Sequence, residues 1–259
     1  MSLRALVTND DGIDSEGIRQ LALAVVAAGL DVTVAAPAHE ASGTSAALTA
    51  TLSDGKVLVD ERSLAGLDGV RCLAVEASPG FIVRIGVRGG FGDPPDVVIA
   101  GINRGWNTGR AVVHSGTVGA CLSAYTAGLR GLAVSQHSGD GAPRYWETAA
   151  AYAGRVIPSF LMTTELCVFN VNVPDLPETE VRGLRRAHLA RFGTVQTSVV
   201  ESGLGYVKIG MVETGHEPEP DSDIALLQQG YATITALRPV CEDSQVALTE
   251  LDGVASVPG

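Results

Sequence analysis

Leu3–Pro37 reads LRALVTNDDGIDSEGIRQLALAVVAAGLDVTVAAP, and this stretch decides the fold. It opens with a short apolar run, Leu3–Thr8, that reads as a strand. From Gly17 to Ala28, Ile18, Leu21, Ala22 and Val25 recur at helical spacing, and Gly29 is the stop. Asp31–Ala36 is a β-branched run closed by Pro37. Strand, helix and strand in that order make a βαβ unit with two neighbouring parallel strands, the seed of a doubly wound, mostly parallel sheet.

Outward from that unit the same alternation continues. Val70–Val75 and Asp96–Ala100 (DVVIA) read as strands, Gly116–Ala127 as a helix and Leu132–Ser135 as a short strand. A helix from Tyr145 to about Phe160 and a strand over Leu166–Asn172 complete a core spanning residues 1–174. After Pro174 the character changes. Val181–Arg186, Thr194–Val200 and Tyr206–Met211 read as short strands separated by Gly or polar residues, the mark of hairpins. Asp221–Gln229 reads as a helix capped by Asp221 or Ser222, and Tyr231–Ala236 as an edge strand. Residues 175–240 are therefore read as a hairpin extension with a C-terminal helix and strand, and 241–259 as a fraying tail.

Composition narrows the function. The chain has 259 residues, 46% of them hydrophobic, enough for a sizeable core. A net charge of −11 opposes the basic surface that a nucleic-acid polymer requires. It suits a small phosphorylated substrate, provided that a cation and backbone N–H groups supply positive potential locally. The cysteines Cys72, Cys121, Cys167 and Cys241 form no C-x-x-C pair and read as reduced thiols. Met1–Gly12 lacks a signal-peptide core, and Leu21–Leu30, the longest apolar run, is about half a bilayer span. A cytoplasmic protein with no membrane partner is expected.

Three segments carry chemistry. Asn9-Asp10-Asp11-Gly12 follows the first strand, where an open α/β sheet faces its ligand crevice. Two adjacent carboxylates there call for a hard divalent ion, or else one of them caps the next helix while Asn9 and Gly12 make a turn. PAHEASGTS, Pro37–Ser45, follows the second strand and brings Ser42 within reach as a neutral oxygen ligand. His39 in it reads either as a base or as a solvated surface residue. GINRGWNTG, Gly101–Gly109, reads as a loop, and HSGTVGA, His114–Ala120, sets Ser115, Gly116 and Thr117 at a helix start, either a phosphate cradle or an ordinary N-cap.

ALVTNDDGID, PAHEASGTS, PDVVIAGINRGWNTG and HSGTVGA, in this order and spacing, resemble the SurE family of survival proteins that act as 5′/3′-nucleotidases. VFNVNVPDLP and SDIALLQQGYATITAL are similar to that family's later core strand and C-terminal helix and strand, so the resemblance covers roughly residues 3–237. It implies a Rossmann-like core whose hairpin and C-terminal region serve dimer exchange, giving a homodimer or homotetramer. It also implies Asp10, Asp11, Ser42 and Asn103 as ligands of one divalent cation per subunit, with Asp10, Asp11 and Asn103 as the catalytic group. Asn9, Asn107, Ser115, Gly116 and Thr117 match positions near the phosphate. An all-oxygen set favours Mg²⁺ or Mn²⁺ over zinc.

The chain departs from the family pattern twice. Ala77-Ser78-Pro79-Gly80-Phe81 lacks the Asp and Cys usual in that stretch, and Ala46-Ala47-Leu48-Thr49 replaces a His-Ser-Ile-Thr-like run. His114 stands where Tyr is common, as a wall residue or a proton donor. The expected activity is hydrolysis of nucleoside monophosphates. The rivals are a phosphatase for another phosphomonoester and a non-catalytic nucleotide-binding module. A haloacid-dehalogenase-type phosphatase is disfavoured, because its Asp-x-Asp spacing is absent from the Asp10-Asp11 motif.

Overall fold

The computed structural model describes residues 2–137, 141, 144–191, 195–213, 217–239 and 241–242. In chain order its elements are β1 (Arg4–Thr8), α1 (Glu16–Ala27), β2 (Asp31–Pro37), β3 (Leu52–Ser53), β4 (Lys56–Val57), β5 (Val59–Arg62), β6 (Arg71–Val75), α2 (Pro79–Val87) and β7 (Val97–Arg104). They continue with α3 (Gly116–Thr126), β8 (Arg130–His137), α4 (Trp146–Met162), β9 (Val168–Pro174), β10 (Leu184–Arg186), β11 (Val195–Gly203), β12 (Tyr206–Glu213), α5 (Asp223–Gln228) and β13 (Ala232–Leu237). A 3₁₀ turn, Gly109–His114, leads into α3.

Nine strands form one sheet in the order β10-β13-β9-β8-β7-β1-β2-β6-β5. From β6 to β9 all neighbours are parallel, as crossover helices require. The alternation of side chains along β1 shows why helices lie on both faces. Val7 joins Ile18 and Leu21 of α1 and Tyr152 and Phe160 of α4, whereas Leu6 joins Ile82 and Val83 of α2 and Val118 of α3. Burying side chains of this size contributes roughly 1.5–3 kcal/mol each. Cys72 and Cys121 are buried, Cys167 is half-buried and Cys241 is exposed, and all four are unpaired. No helix among the described residues is long and apolar enough to cross a membrane.

Three expectations change, and one helix appears where the sequence reading assigned no element. GINR is not loop but the end of β7, which runs past an irregularity between Ala100 and Asn103 before pairing Asn103 with Ser135. Gly101 permits this, because it has a φ of 129° and a Cβ there would lie 2.2 Å from the carbonyl oxygen of Val134. Val181–Arg186 makes no hairpin with its neighbours. Only Leu184–Arg186 is strand, and it pairs in parallel with β13. β13 is therefore not the sheet edge but lies between β10 and β9, antiparallel to the latter. Pro79–Val87 is a helix, with Pro79 in its first turn where no N–H is needed.

β11 and β12 pair only with each other, as an antiparallel hairpin. It exposes Val199, Val200, Leu204, Val207 and Ile209. Thr194, given to this strand by the sequence reading, and 243–259 of the expected tail lie outside the described residues.

Candidate functional site

The carboxyl ends of β1, β2 and β7 converge on the Asn9–Gly12 turn. Asn9 shapes that turn: its Nδ2 donates to the Gly12 carbonyl at 3.0 Å and to Ser15 Oγ at 2.7 Å, and its Oδ1 accepts from the Gly12 N–H. Asn9 is wholly buried and spends its amide on the turn. Ser15, at the N-cap of α1, makes no side-chain cap bond to the helix.

Asp10 points into the start of α3, where its Oδ1 accepts the Thr117 hydroxyl. The backbone N–H groups of Gly116 and Thr117 also reach this carboxylate. A Cβ on Gly116 would lie 2.7 Å from Asp10 Oδ2, so the carboxylate packs directly on the helix's first residue. Burial is the larger influence and pushes the Asp10 carboxyl up, and these hydrogen bonds oppose it. The helix N-terminus read as a phosphate cradle is thus turned toward Asp10 itself, and Ser115 caps the helix by accepting from Val118 N at 3.0 Å.

Asp11 is held from β7: the N–H of Arg104 donates to its Oδ2 at 3.0 Å. Burial pushes its carboxyl up to about 6, with the Arg104 N–H opposing and the charges of Asp10 and Glu40 adding. Asn103, the residue before Arg104, donates Nδ2 to the Gly105 carbonyl at 2.7 Å, which turns its amide and leaves Oδ1 without a hydrogen bond among the described residues. The second loop is tied to the first, because the Ala41 N–H donates to the Asp10 carbonyl at 2.8 Å. Ser42, next along, is exposed and its hydroxyl sits on Glu40 at 2.8 Å rather than on either aspartate.

Asn107 is clamped from β9 and β8, a device the sequence reading missed. Its N–H donates to Asn172 Oδ1 at 2.8 Å, its carbonyl accepts from Asn170 and Asn172, and its Nδ2 donates to Ser135 Oγ at 2.8 Å. The signal was present in FNVNVP: Asn170 and Asn172, two apart, share one face of a strand that is otherwise apolar. Asp223 of α5, fully buried, holds the far end of the same loop. It accepts from Gly109 N at 2.7 Å, from Ala190 N at 3.0 Å and from Ile224 N at 2.9 Å.

His39 is exposed, 3.6 Å from Glu76 and apart from the aspartates' hydrogen bonds. His114 closes the 3₁₀ turn and is also exposed.

A divalent cation fits these groups. Asp10 and Asp11 are adjacent carboxylates, the first only 3% exposed, and among the described residues neither forms an ion pair with Lys or Arg. Among the described residues no cluster of three or more His, Cys, Asp or Glu is placed to hold a metal, so a cation held here would also need neutral oxygens such as that of Asn103.

Fold and crevice together define an open α/β protein with an adjacent pair of carboxylates, one buried and one half-buried, at the carboxyl edge of its parallel sheet. The family model described as "Survival protein SurE" matches residues 5–196. The 5′-nucleotidase SurE 1 of Burkholderia lata is 33% identical over 244 residues, covering 91% of this chain and 90% of that protein. The 5′/3′-nucleotidase SurE of Yersinia pestis is 32% identical over 273 residues, with 97% and 99% covered. The solved SurE protein from Aquifex aeolicus superposes with a TM-score of 0.71 at 26% identity, covering 91% of this chain and 93% of that one. The chain belongs to the SurE family.

Proposed function

We propose that this protein is a divalent-metal-dependent phosphomonoesterase that hydrolyses nucleoside 5′/3′-monophosphates to nucleoside and phosphate. The observation that carries this reading is the Asp10–Asp11 pair, the first buried and the second half-buried, with no salt bridge to a basic side chain among the described residues, in a chain whose relatives are named 5′- and 5′/3′-nucleotidases. Asp10, Asp11, Asn103 and Ser42 are the proposed ligands, and their oxygens favour Mg²⁺ or Mn²⁺. When bound, the cation supplies the Lewis-acid charge that phosphoryl transfer needs in a chain of net charge −11.

The chain's own residues orient and hold. Thr117 and the first N–H groups of α3 fix the Asp10 carboxylate, and Arg104 N–H fixes that of Asp11. Nδ2 of Asn107 has two hydrogens, of which Ser135 takes one, so the other is available to a phosphate oxygen. The clamp from Asn170 and Asn172 holds that donor against the substrate. Asn9 supports the turn from beneath.

A panel of 5′- and 3′-monophosphates, sugar phosphates and short polyphosphate, with Mn²⁺ or Mg²⁺ and after chelation, tests the activity. Nucleoside monophosphates are expected to rank first and chelation to abolish turnover. Strong turnover of another phosphomonoester beside negligible nucleotide hydrolysis reverses the substrate assignment, and full activity without metal removes the cation from it.

Protonation gives a second test of the cation. Asp11 has a folded pKa above its ordinary value of 3.8, so its contribution to metal-free stability is fully present below about pH 4 and is lost as pH rises through about 6. A cation must displace that proton, so it binds weakly where the proton is held. Mn²⁺ is therefore expected to raise the melting temperature more at about pH 7.5 than at about pH 5. Equal shifts at the two pH values contradict the assignment of Asp11 as a ligand.

The protein is proposed to work in the cytoplasm, consistent with its unpaired cysteines. It is also proposed to be a homodimer or homotetramer joined through β11–β12, whose exposed valines, leucine and isoleucine lack a covering surface among the described residues. Light scattering at micromolar concentration is expected to give at least a dimer mass, lost when 195–213 is replaced by a short glycine linker. A monomer mass for the full chain refutes the exchange.

A further inference from the structure

The two segments that depart from the family pattern, 46–49 and 77–81, are far apart in sequence and meet in space. Ser78 Oγ donates to the Ala47 carbonyl at 2.6 Å and accepts from Thr49 N at 3.1 Å, and Ser78 N donates to the Thr49 carbonyl at 2.8 Å. Thr51 N donates to the Glu76 carbonyl at 2.9 Å, and Ala50 bridges Ala77, so the segments form one short antiparallel wall. Against this wall, over the carboxyl ends of β2 and β6, lies a cavity of about 270 Å³ lined by residues that include Pro37, His39, Thr44, Thr51, Val75 and Glu76.

The cavity adjoins the carboxylate pair. Ala41, also part of its lining, donates its N–H to the Asp10 carbonyl, and the Pro37 carbonyl accepts from Ile13 N at 2.9 Å. In the sheet, β2 is next to β1 and β6 next to β2, so the cavity lies one to two strand spacings of about 4.8 Å from the aspartates. A substrate with its phosphate at Asp10 and Asp11 would extend its leaving group this way, along the crevice at the strand ends.

Among the described residues, the lining carries no Phe, Tyr or Trp to stack on a flat base. It offers threonine hydroxyls, a few small apolar groups and one carboxylate, Glu76, whose side chain is 32% exposed and 3.6 Å from His39. A carboxylate accepts two hydroxyl hydrogens at once and repels a second phosphate. We infer that this cavity is the leaving-group subsite and that Glu76 reads the neutral 2′,3′-diol of a ribonucleoside 5′-monophosphate, favouring it over the 2′-deoxy analogue. This inference rests on the phosphomonoesterase reading and adds to it the residue that reads the sugar.

The test compares kcat/KM for a ribonucleoside 5′-monophosphate and its 2′-deoxy analogue in the wild-type protein, in Glu76→Ala and in Glu76→Gln, all with Mn²⁺. Hydrolysis of p-nitrophenyl phosphate by the wild type serves as a substrate without a diol. The wild type is expected to favour the ribonucleotide roughly tenfold, the scale of one hydrogen bond to a charged group. Glu76→Ala is expected to bring the ratio to about one, with Glu76→Gln between them. A loss of structure alone lowers both rates and leaves the ratio standing. No ribose preference in the wild type, or a ratio unchanged in Glu76→Ala, overturns the inference while turnover of p-nitrophenyl phosphate leaves the phosphomonoesterase reading intact. No turnover of any ester by the wild type removes both.

Discussion

Asp10→Asn is expected to lower kcat/KM for a nucleoside monophosphate by roughly a thousandfold, the scale of several kcal/mol of lost charge stabilisation. The same change is expected to raise the melting temperature of the metal-free protein. These opposite signs follow from one fact: Asp10 is 3% exposed and its carboxyl is pushed up by burial, so the anion is costly there unless a cation joins it. Asparagine is isosteric and retains an oxygen to accept the Thr117 hydroxyl, so the start of α3 stays in place. Steady-state kinetics with Mn²⁺, a metal-binding isotherm and a melting curve after chelation measure the three parts. Wild-type turnover in the variant removes Asp10 from the ligand set. An unchanged or lower metal-free melting temperature contradicts the account of its burial.

Gly116→Ala is expected to damage the crevice at the aspartate pair itself. In an ordinary first helical turn, alanine in place of glycine is favourable by up to about 1 kcal/mol. Here the added Cβ meets Asp10 Oδ2 at 2.7 Å and Asp10 Cβ at 2.8 Å, and Asp10 is buried. The aspartate must swing off its hydrogen bonds to Thr117 or α3 must back away. A displacement near 1 Å at a reacting centre costs about a hundredfold in rate. Overpacking of a buried site costs about 1–3 kcal/mol in stability. Activity should therefore fall about a hundredfold with weakened Mn²⁺ affinity, and melting should occur several degrees lower. A variant as stable and active as the wild type shows that Asp10 and α3 have more room between them than the structure gives.

The first βαβ unit was legible because its signals are local: the periodicity of Ile18, Leu21 and Val25, and the stops at Gly29 and Pro37. The parallel sheet followed from repetition of that unit. What escaped was set by partners distant in sequence. Gly101, Gly105 and Gly109 mark a loop by composition, yet the first lies inside β7, because the Val134 carbonyl leaves no space for a side chain. The place of β13 between β9 and β10 depends on pairing Leu237 with Val168 and Ala232 with Leu184, which no local pattern encodes. In the crevice, Asp10, Asp11 and Asn103 were legible by type and by their place at strand ends, and the structure brings them to neighbouring strand ends. Thr117 was read only as a group near the phosphate, whereas its hydroxyl lies on Asp10, a contact set by the angle at which α3 packs. The clamp of Asn170, Asn172 and Asp223 on the Asn107 loop escaped because hydrogen bonds to backbone leave no spacing rule between donor and acceptor.

Asp223 fastening Gly109 from the other end of the chain has a consequence for how the molecule is born. Domains acquire structure from the N-terminus as the ribosome releases them. Asn9, Asp10, Asp11 and Asn103 leave the exit tunnel before β9 and α5 do. The loop bearing Asn107 is secured only when β9 has added Asn170 and Asn172 and α5 has brought Asp223 beneath Gly109. A nascent chain therefore carries its acidic pair well before the rest of the crevice exists, and a product that stops short of residue 223 is a sheet with an open mouth. A fragment of that kind has the acidic pair without the fastened Asn107 loop.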